Sequence, residues 1–188
     1  NNSDYVKDCY VTIDGNTKHF YYAYIYESPY GSDDDKYEYE YQLYFGSSDI
    51  MDKDANYSKH DEFMIDIYTK ESLNIDKLAS GSIPVYYRNS QPKQYYDFEF
   101  SFGVICTGYT DGEPDYQNDT WYSNDEDVNY ASSNLTISKT SDGVIMKIDK
   151  MNCTGEIGEE TSIGKASGSF YFEGSLKNVT EYLSERRE

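Results

Sequence analysis

Two pairs of carboxylates stand two residues apart in this chain, Glu38/Glu40 and Asp97/Glu99. On an extended strand that spacing puts both acids of a pair on one face, about 6–7 Å apart. Glycoside hydrolases work with carboxylates at comparable separations, one protonated and one ionised. Both pairs, however, fall on the polar side of amphipathic segments, where solvation alone accounts for the charge. Nothing adjacent in sequence would raise a carboxyl pKa.

Metal chemistry has one partial motif. In "DKDANYSKHDEF" the residues Asp52, Asp54, Asn56 and Ser58 alternate like the front half of a calcium loop. That loop requires Gly at its sixth position and Glu at its twelfth, and here they are Tyr57 and Phe63. No metal ligand is assigned and no cofactor is expected, although the acidic loops are compatible with a weakly bound Ca²⁺. His19 and His60 are the only histidines, far apart in sequence, so zinc would need distant carboxylates as co-ligands. Cys9, Cys106 and Cys153 allow one internal disulfide at most, and Cys9 and Cys106 lie on apolar strand faces that suit buried thiols. The chain has no nucleophile elbow, phosphate loop or dinucleotide fingerprint. No catalytic residue is assigned, and a non-enzymatic protein is expected.

Binding chemistry concentrates in residues 108–130, "GYTDGEPDYQNDTWYSNDEDVNY", which carry the single tryptophan among seven carboxylates. Flat rings stack on the C–H faces of sugars while carboxylates and amides accept hydroxyl hydrogen bonds, so mixed linings of this kind suit ligand sites. The candidate ligand-binding residues are Trp121, Tyr116, Tyr122, Asp119 and Asp125. The competing reading makes Trp121 a lid that plugs one end of the fold.

The elements that would position these groups are strands. Phe20, Tyr22, Tyr24 and Tyr26 alternate with Tyr21, Ala23 and Ile25; Tyr37, Tyr39, Tyr41, Leu43 and Phe45 alternate with Glu38, Glu40 and Gln42. The same period of two runs through Phe63/Ile65/Ile67, Tyr96/Phe98/Phe100/Phe102/Val104/Cys106, Leu135/Ile137, Val144/Met146/Ile148 and Phe170/Phe172. It marks strands with one buried and one wet face. "DGN" at Asp14–Asn16 separates Val11/Ile13 from a strand over 18–26, and "SDG" at Ser141–Gly143 marks a hairpin. "ESLNIDKLAS" and the tail "VTEYLSERRE" are the only short helical candidates. The fold class is all-β, an antiparallel β-sandwich of about 9–10 strands, with a lipocalin-like closed barrel as the alternative. No boundary divides residues 1–188: one β domain is expected, with acidic loop insertions at 28–36 and 108–130 and a short polar C-terminal tail. The strand-face tyrosines would form either a platform or a wet-sided core.

Bulk composition narrows the partners. Sixteen basic against 35 acidic residues give a net charge of -19, which repels phosphate backbones and anionic membrane surfaces. Nucleic acid is therefore not an expected partner. No apolar run is long enough to span a bilayer, so direct membrane insertion is not expected either. Twenty-three tyrosines make aromatic rings the main apolar resource. Six N-x-S/T triplets occur, at a frequency that a chain rich in Asn, Ser and Thr produces by chance.

In rhythm the chain resembles secreted or lipid-anchored β-domains of unknown function from gut Bacteroidetes. The likeness rests on "LASGSIPVYY" and on "SNLTISKTSDGVIMKIDKMNCTG" running into "GSFYFEGSL". Ser82-Ile83-Pro84 departs from the usual Gly-aromatic strand entry. The resemblance implies export to the cell surface or periplasm, with a lipid anchor upstream of Asn1 removed from this form, and it carries over no catalytic residue. A polar opening, "NNSDYVKD", without an initiator Met fits that expectation. The expected function is an exported ligand-binding β-domain with glycan as the leading ligand. The alternative is a structural or protein-interaction module of a cell-surface assembly, with a surface protein as partner.

Overall fold

The computed structural model describes residues 6–31, 37–52, 60–83, 86–87, 98–107, 109–110, 113–114, 120–124, 135–157 and 161–185. Between 84 and 134 it describes side chains only at Thr120 and Tyr122. In chain order the elements are β1 (Val6–Ile13), β2 (Asn16–His19), β3 (Tyr22–Glu27), β4 (Tyr39–Gly46) and β5 (His60–Thr69). Then come α1 (Ile75–Ala79), β6 (Tyr86–Tyr87), β7 (Phe98–Thr107), β8 (Tyr109–Thr110), β9 (Glu113–Pro114) and β10 (Thr120–Asn124). The chain closes with β11 (Leu135–Lys139), β12 (Val144–Ile157), β13 (Thr161–Gly174), β14 (Lys177–Asn178) and α2 (Thr180–Glu185).

The architecture is the expected all-β sandwich, rich in antiparallel pairing, and not a closed barrel. Of the fourteen strands among the described residues four (β6, β8, β9 and β14) are two residues long, and the other ten match the number read from the sequence. β14 pairs with β3 in parallel, whereas the other pairings are antiparallel. β8 and β9 form a separate small pair.

Twelve strands make one continuous sheet that folds over on itself through the long β12–β13 hairpin. The first half of β12 pairs with β11, and its second half, Cys153–Ile157, pairs with β10. β13 follows β12 along its length, and its second half, Gly168–Gly174, also pairs with β1. One layer therefore runs β6-β11-β12-β13-β1-β2, and the other runs from β12 through β10, β7, β5, β4 and β3 to β14. The change of layer has a local cause. Between Ile148↔Phe170 and Met151↔Gly168, β12 advances three residues while β13 advances two, a bulge that bends the strand. It also resets the alternation: Val144, Met146 and Ile148 point into the core before it, Met151 and Cys153 after it.

The layers meet through rings. Phe170 of β13 lies 4.8 Å from Phe45 of β4 and 4.5 Å from Phe63 of β5, centroid to centroid. Phe172 lies 5.2 Å from Phe45. Around this cluster the inward residues Val11, Ile25, Tyr41, Leu43, Ile65 and Ile67 are buried, as their alternation requires. Tyr41 keeps its hydroxyl satisfied by accepting from the Leu73 backbone N–H at 2.7 Å, which pins the chain entering α1. The thiol of Cys9 is buried in the same core, and burial pushes it well above the ordinary cysteine range; Cys9 and Cys153 are free thiols.

Both sequence-marked turns form. Ile13 pairs with Asn16 around Asp14 and Gly15, whose φ values of 48° and 80° are the double left-handed geometry of a two-residue hairpin. Lys139 pairs with Val144 around the 140–143 turn. Both helical candidates form as well, α1 with the Asn74 side chain accepting from the Lys77 N–H at 3.0 Å.

Three details depart from the sequence reading. Residues 18–26 do not make one strand, because Phe20 and Tyr21 carry the chain from the outer strand β2 into the other layer. The break turns Phe20, Ala23 and Ile25 inward together and leaves Tyr21 65% exposed. Segment 108–130 contains strand β10, hydrogen-bonded between β7 and β12 in the middle of the sheet. Finally, the second face of β4 and β5 is not simply wet: Val179 and Leu183 pack there with Tyr24, Tyr44, Ile50 and Met51.

Truncating Phe170 removes contacts to both facing strands and leaves a cavity between layers. Phe170→Ala should lower unfolding free energy by about 3–5 kcal/mol. Chemical denaturation read by far-UV circular dichroism measures it, and a loss below 1 kcal/mol would contradict the packing described.

Candidate functional site

The two outer faces of the sandwich differ. That of β3–β5 is covered by α2 and the turn after β4; that of β1, β2 and β13 carries Asp8, Tyr10, Thr12, His19, Ser169, Tyr171 and Glu173, each half-buried or exposed.

This open face has its own order. Because Cys9, Val11 and Ile13 point inward on β1, Tyr10 must point out; because Phe170 and Phe172 point inward on β13, Tyr171 must point out. Register then places them side by side, since Tyr10 pairs with Tyr171 on one flank and with His19 on the other. The Tyr10 and Tyr171 rings stack at 5.6 Å with 22° between planes, and His19 tilts against Tyr10 at 5.8 Å and 53°. Three strands thus present a row of three rings. Exposed Tyr21 stands two residues beyond His19.

Polar groups flank the row on both sides. On one side Thr12 and Thr17 share a hydroxyl hydrogen bond of 2.9 Å, with Ser169 opposite Thr12 in register. On the other, Asp8 and Glu173 are opposite one another. The Glu173 carboxylate accepts from Lys7 Nζ at 2.8 Å and from the Tyr171 hydroxyl at 3.0 Å. These two bonds, the lysine first, hold its carboxyl below the usual carboxylate range. Partial burial, then the bond to Glu173 and the negative charges of Glu173 and Asp8, push the Tyr171 phenol upward. Flat rings flanked by hydroxyls and carboxylates can stack on an apolar C–H surface and accept or donate hydrogen bonds at its rim.

Two other places are less suited to a ligand. A cleft of about 360 Å³ between α1 and the 140–143 turn is lined by Asp76, Ser80, Lys139, Thr140, Asp142 and Asn178. Its polar groups already serve one another: Asn178 Nδ2 donates to Asp76 at 2.9 Å, and Ser175 Oγ donates to the Asp142 carbonyl at 3.2 Å. On the covered face, His60 Nε2 lies 2.9 Å from Glu62 Oε2 and 3.2 Å from the Tyr44 hydroxyl, which donates to the Ser48 carbonyl. A carboxylate only accepts, so Nε2 carries the hydrogen. All three side chains are buried, out of reach of a substrate, and join β4 to β5.

Of the sequence-derived candidates, Tyr122 is half-buried on β10 and packs against the main core. Trp121 sits on the same strand, its backbone paired with Ile105 and Glu156, and its side chain lies outside the description. Tyr116, Asp119 and Asp125 lie outside the described residues. Of the carboxylate pairs, Glu40 is buried beside Gln42, whose amide also reaches Asp66 at 3.0 Å; Asp97 lies outside the described residues, as does the side chain of Glu99. Among the described residues no group of three or more His, Cys, Asp or Glu side chains could hold a metal ion, and no helix is long and apolar enough to cross a membrane. The ring row combines residues 10, 19 and 171, which sequence reasoning did not join. The available signal was aromatic residues at outward positions of strands whose inward positions were already apolar. Comparison with known proteins finds no matching family model, curated protein or solved structure.

The Glu173 arrangement has a pH consequence. A carboxyl whose folded pKa is depressed contributes stability above its unfolded pKa, and loses it as pH falls through the folded value. Lys7→Ala should therefore raise the Glu173 pKa and move this acid-side loss to higher pH. A side-chain carboxyl titration by NMR measures the shift; an unchanged Glu173 pKa would contradict the pairing.

Proposed function

We propose that this chain is a non-enzymatic glycan-binding β-domain, with the row Tyr171–Tyr10–His19 as its stacking surface. The observation that carries the reading is the placement of the rings: two are parallel neighbours, all three lie on the open outer face, and acceptors and hydroxyls flank them. Stacked rings on a strand surface fit an extended saccharide lying along the face better than a chain end entering a cavity. Trp121, Tyr116, Tyr122, Asp119 and Asp125 are the competing ligand contacts for the same function. Export to the cell surface, with a lipid anchor upstream, belongs to the same proposal and is supported by the resemblance in rhythm to exported β-domains.

A second reading, a protein-interaction module of a surface assembly, draws on a different place. Ile157 and Ile163, 39% and 43% exposed, stand on the end of the β12–β13 hairpin, where Thr161–Lys165 are all exposed.

One set of variants separates these readings. Oligosaccharide binding by glycan array and calorimetry should fall at least tenfold in Tyr10→Ala and Tyr171→Ala, about the value of one lost ring contact. Trp121→Ala should leave it unchanged. Loss confined to Trp121→Ala would transfer the site to 108–130. Absence of any saccharide binding, with capture of a surface protein abolished by Ile163→Lys, would replace the glycan reading with the second one.

A further inference from the structure

We infer that the glycan on the ring row lies across the strands, one sugar unit per strand from β12 to β2, and that its class is an extended β-linked chain bound along an internal stretch, with Lys147 as a further contact residue at the β12 end. The inference rests on the ring row as a saccharide site and adds the direction, length and linkage of the ligand.

Register carries the first step. Lys147 stands between buried Met146 and Ile148, so it points outward, and it pairs with Tyr171. Tyr171 pairs with Tyr10, and Tyr10 with His19. Lys147, Tyr171, Tyr10 and His19 thus form one transverse line over neighbouring strands. Paired strands stand about 4.8 Å apart, and the ring centroids along the line are 5.6 Å and 5.8 Å apart. Those steps are close to the length of one pyranose unit in an extended chain, so successive sugars meet successive side chains.

The second step is how the face changes in the other direction. Along β13 the outward residues run Ser169, Tyr171, Glu173, and along β1 they run Asp8, Tyr10, Thr12. Each strand offers one ring, set between a hydroxyl and a carboxylate. A glycan laid along a strand would stack once and then meet polar groups. Laid across the strands it stacks repeatedly, with one edge toward Thr12, Thr17 and Ser169 and the other toward Asp8 and Glu173. Sugars with equatorial substituents in β linkage have the matching shape, C–H groups on flat faces and hydroxyls along both edges. An α-linked chain coils and soon leaves a straight row.

The line is also held in place before any ligand arrives. The Tyr171 hydroxyl donates to Glu173 at 3.0 Å, and Glu173 accepts from Lys7 at 2.8 Å, which ties the ring at its edge. Tyr10 packs between Tyr171 and His19. Rings ordered in advance lose little freedom on binding. At the β12 end the stem of exposed Lys147 can continue the apolar strip beside Tyr171, while its ammonium donates to ligand oxygens.

Calorimetry on the whole chain with cello-oligosaccharides of two to six units, and with malto-oligosaccharides of the same lengths, tests the inference. Affinity for the β-linked series should rise at least tenfold from disaccharide to tetrasaccharide and then level off. The α-linked series should bind more weakly at every length beyond the disaccharide. Lys147→Ala and His19→Ala should each weaken tetrasaccharide binding roughly three- to tenfold, the value of one hydrogen bond or one ring contact. Both should leave disaccharide binding, centred on Tyr10 and Tyr171, unchanged. Both positions are exposed, and circular dichroism checks that the fold is retained. Equal affinity for disaccharide and tetrasaccharide, with Tyr10→Ala still weakening both, would overturn the transverse chain and keep the glycan site. Tetrasaccharide binding untouched by Lys147→Ala and His19→Ala would do the same, as would a preference for the α-linked series. Binding of neither series, with another glycan on an array bound through Tyr10, would overturn the linkage class alone. No saccharide bound at all would overturn this inference and the glycan reading together.

Discussion

The contact between Phe170 and the rings of Phe45 and Phe63 is the constraint from which the rest of the molecule follows. Phe170 belongs to a hairpin shared by both layers, so the contact closes the sandwich at the place where the sheet turns over. Once Phe170 and Phe172 are directed inward, Tyr171 and Glu173 have only the outer face left to them. The same applies to Tyr10 between Cys9 and Val11. The ring row is thus the reverse side of the core, fixed by the same alternation. A one-residue slip of β1 on β13 would bury Tyr10 and expose Val11, so core packing also guards the register of the site.

Tyrosine has two fates here, decided by what lies above it. Tyr24 and Tyr44 stack at 6.2 Å with 20° between planes, nearly the geometry of Tyr10 and Tyr171. Over the first pair the chain after β4 and helix α2 close down: the Tyr24 hydroxyl donates to Asp49, the Tyr44 hydroxyl to the Ser48 carbonyl, and Val179 completes the cluster. Those rings are a second, smaller core. Over the second pair the Tyr171 hydroxyl turns instead to Glu173, itself held by Lys7 at the surface. Identical side chains at equivalent strand positions are structural on one face and accessible on the other.

This explains how far the sequence could be read. Alternation is local, so it revealed the strands, the two hairpin turns and the inward residues Leu43, Phe45, Ile65 and Phe172. It does not tell which layer a strand joins, and so it merged β2 and β3 across Phe20 and Tyr21, where the chain changes layer. Nor does it tell what covers the second face of a strand, and Glu40, read as one of a solvated pair, is buried. Asp, Asn and Gly signals in 108–130 suggested irregular chain throughout, yet Thr120–Asn124 gain partners on both sides from β7 and β12, which no local pattern encodes. The ring row needed pairings across residues 10, 19 and 171, which no local pattern joins.

The charge of the chain is distributed in keeping with this division. On the covered face acidic groups are tied to donors: Glu62 to His60, Asp49 to Tyr24, Asp66 to Gln42. A carboxylate under a lid must be satisfied internally, because an unpaired buried charge costs more than the fold can offset. On the open face Lys7 and the Tyr171 hydroxyl perform that service for Glu173, and Asp8 opposite it is exposed to solvent. The outward pairs of these two strands run Asp8/Glu173, Tyr10/Tyr171 and Thr12/Ser169, so the rings lie between a charged pair and a hydroxyl pair. Glu173, on one flank of the ring row, is therefore a paired charge beside the stacked tyrosines, held by a surface lysine where the covered face uses buried donors.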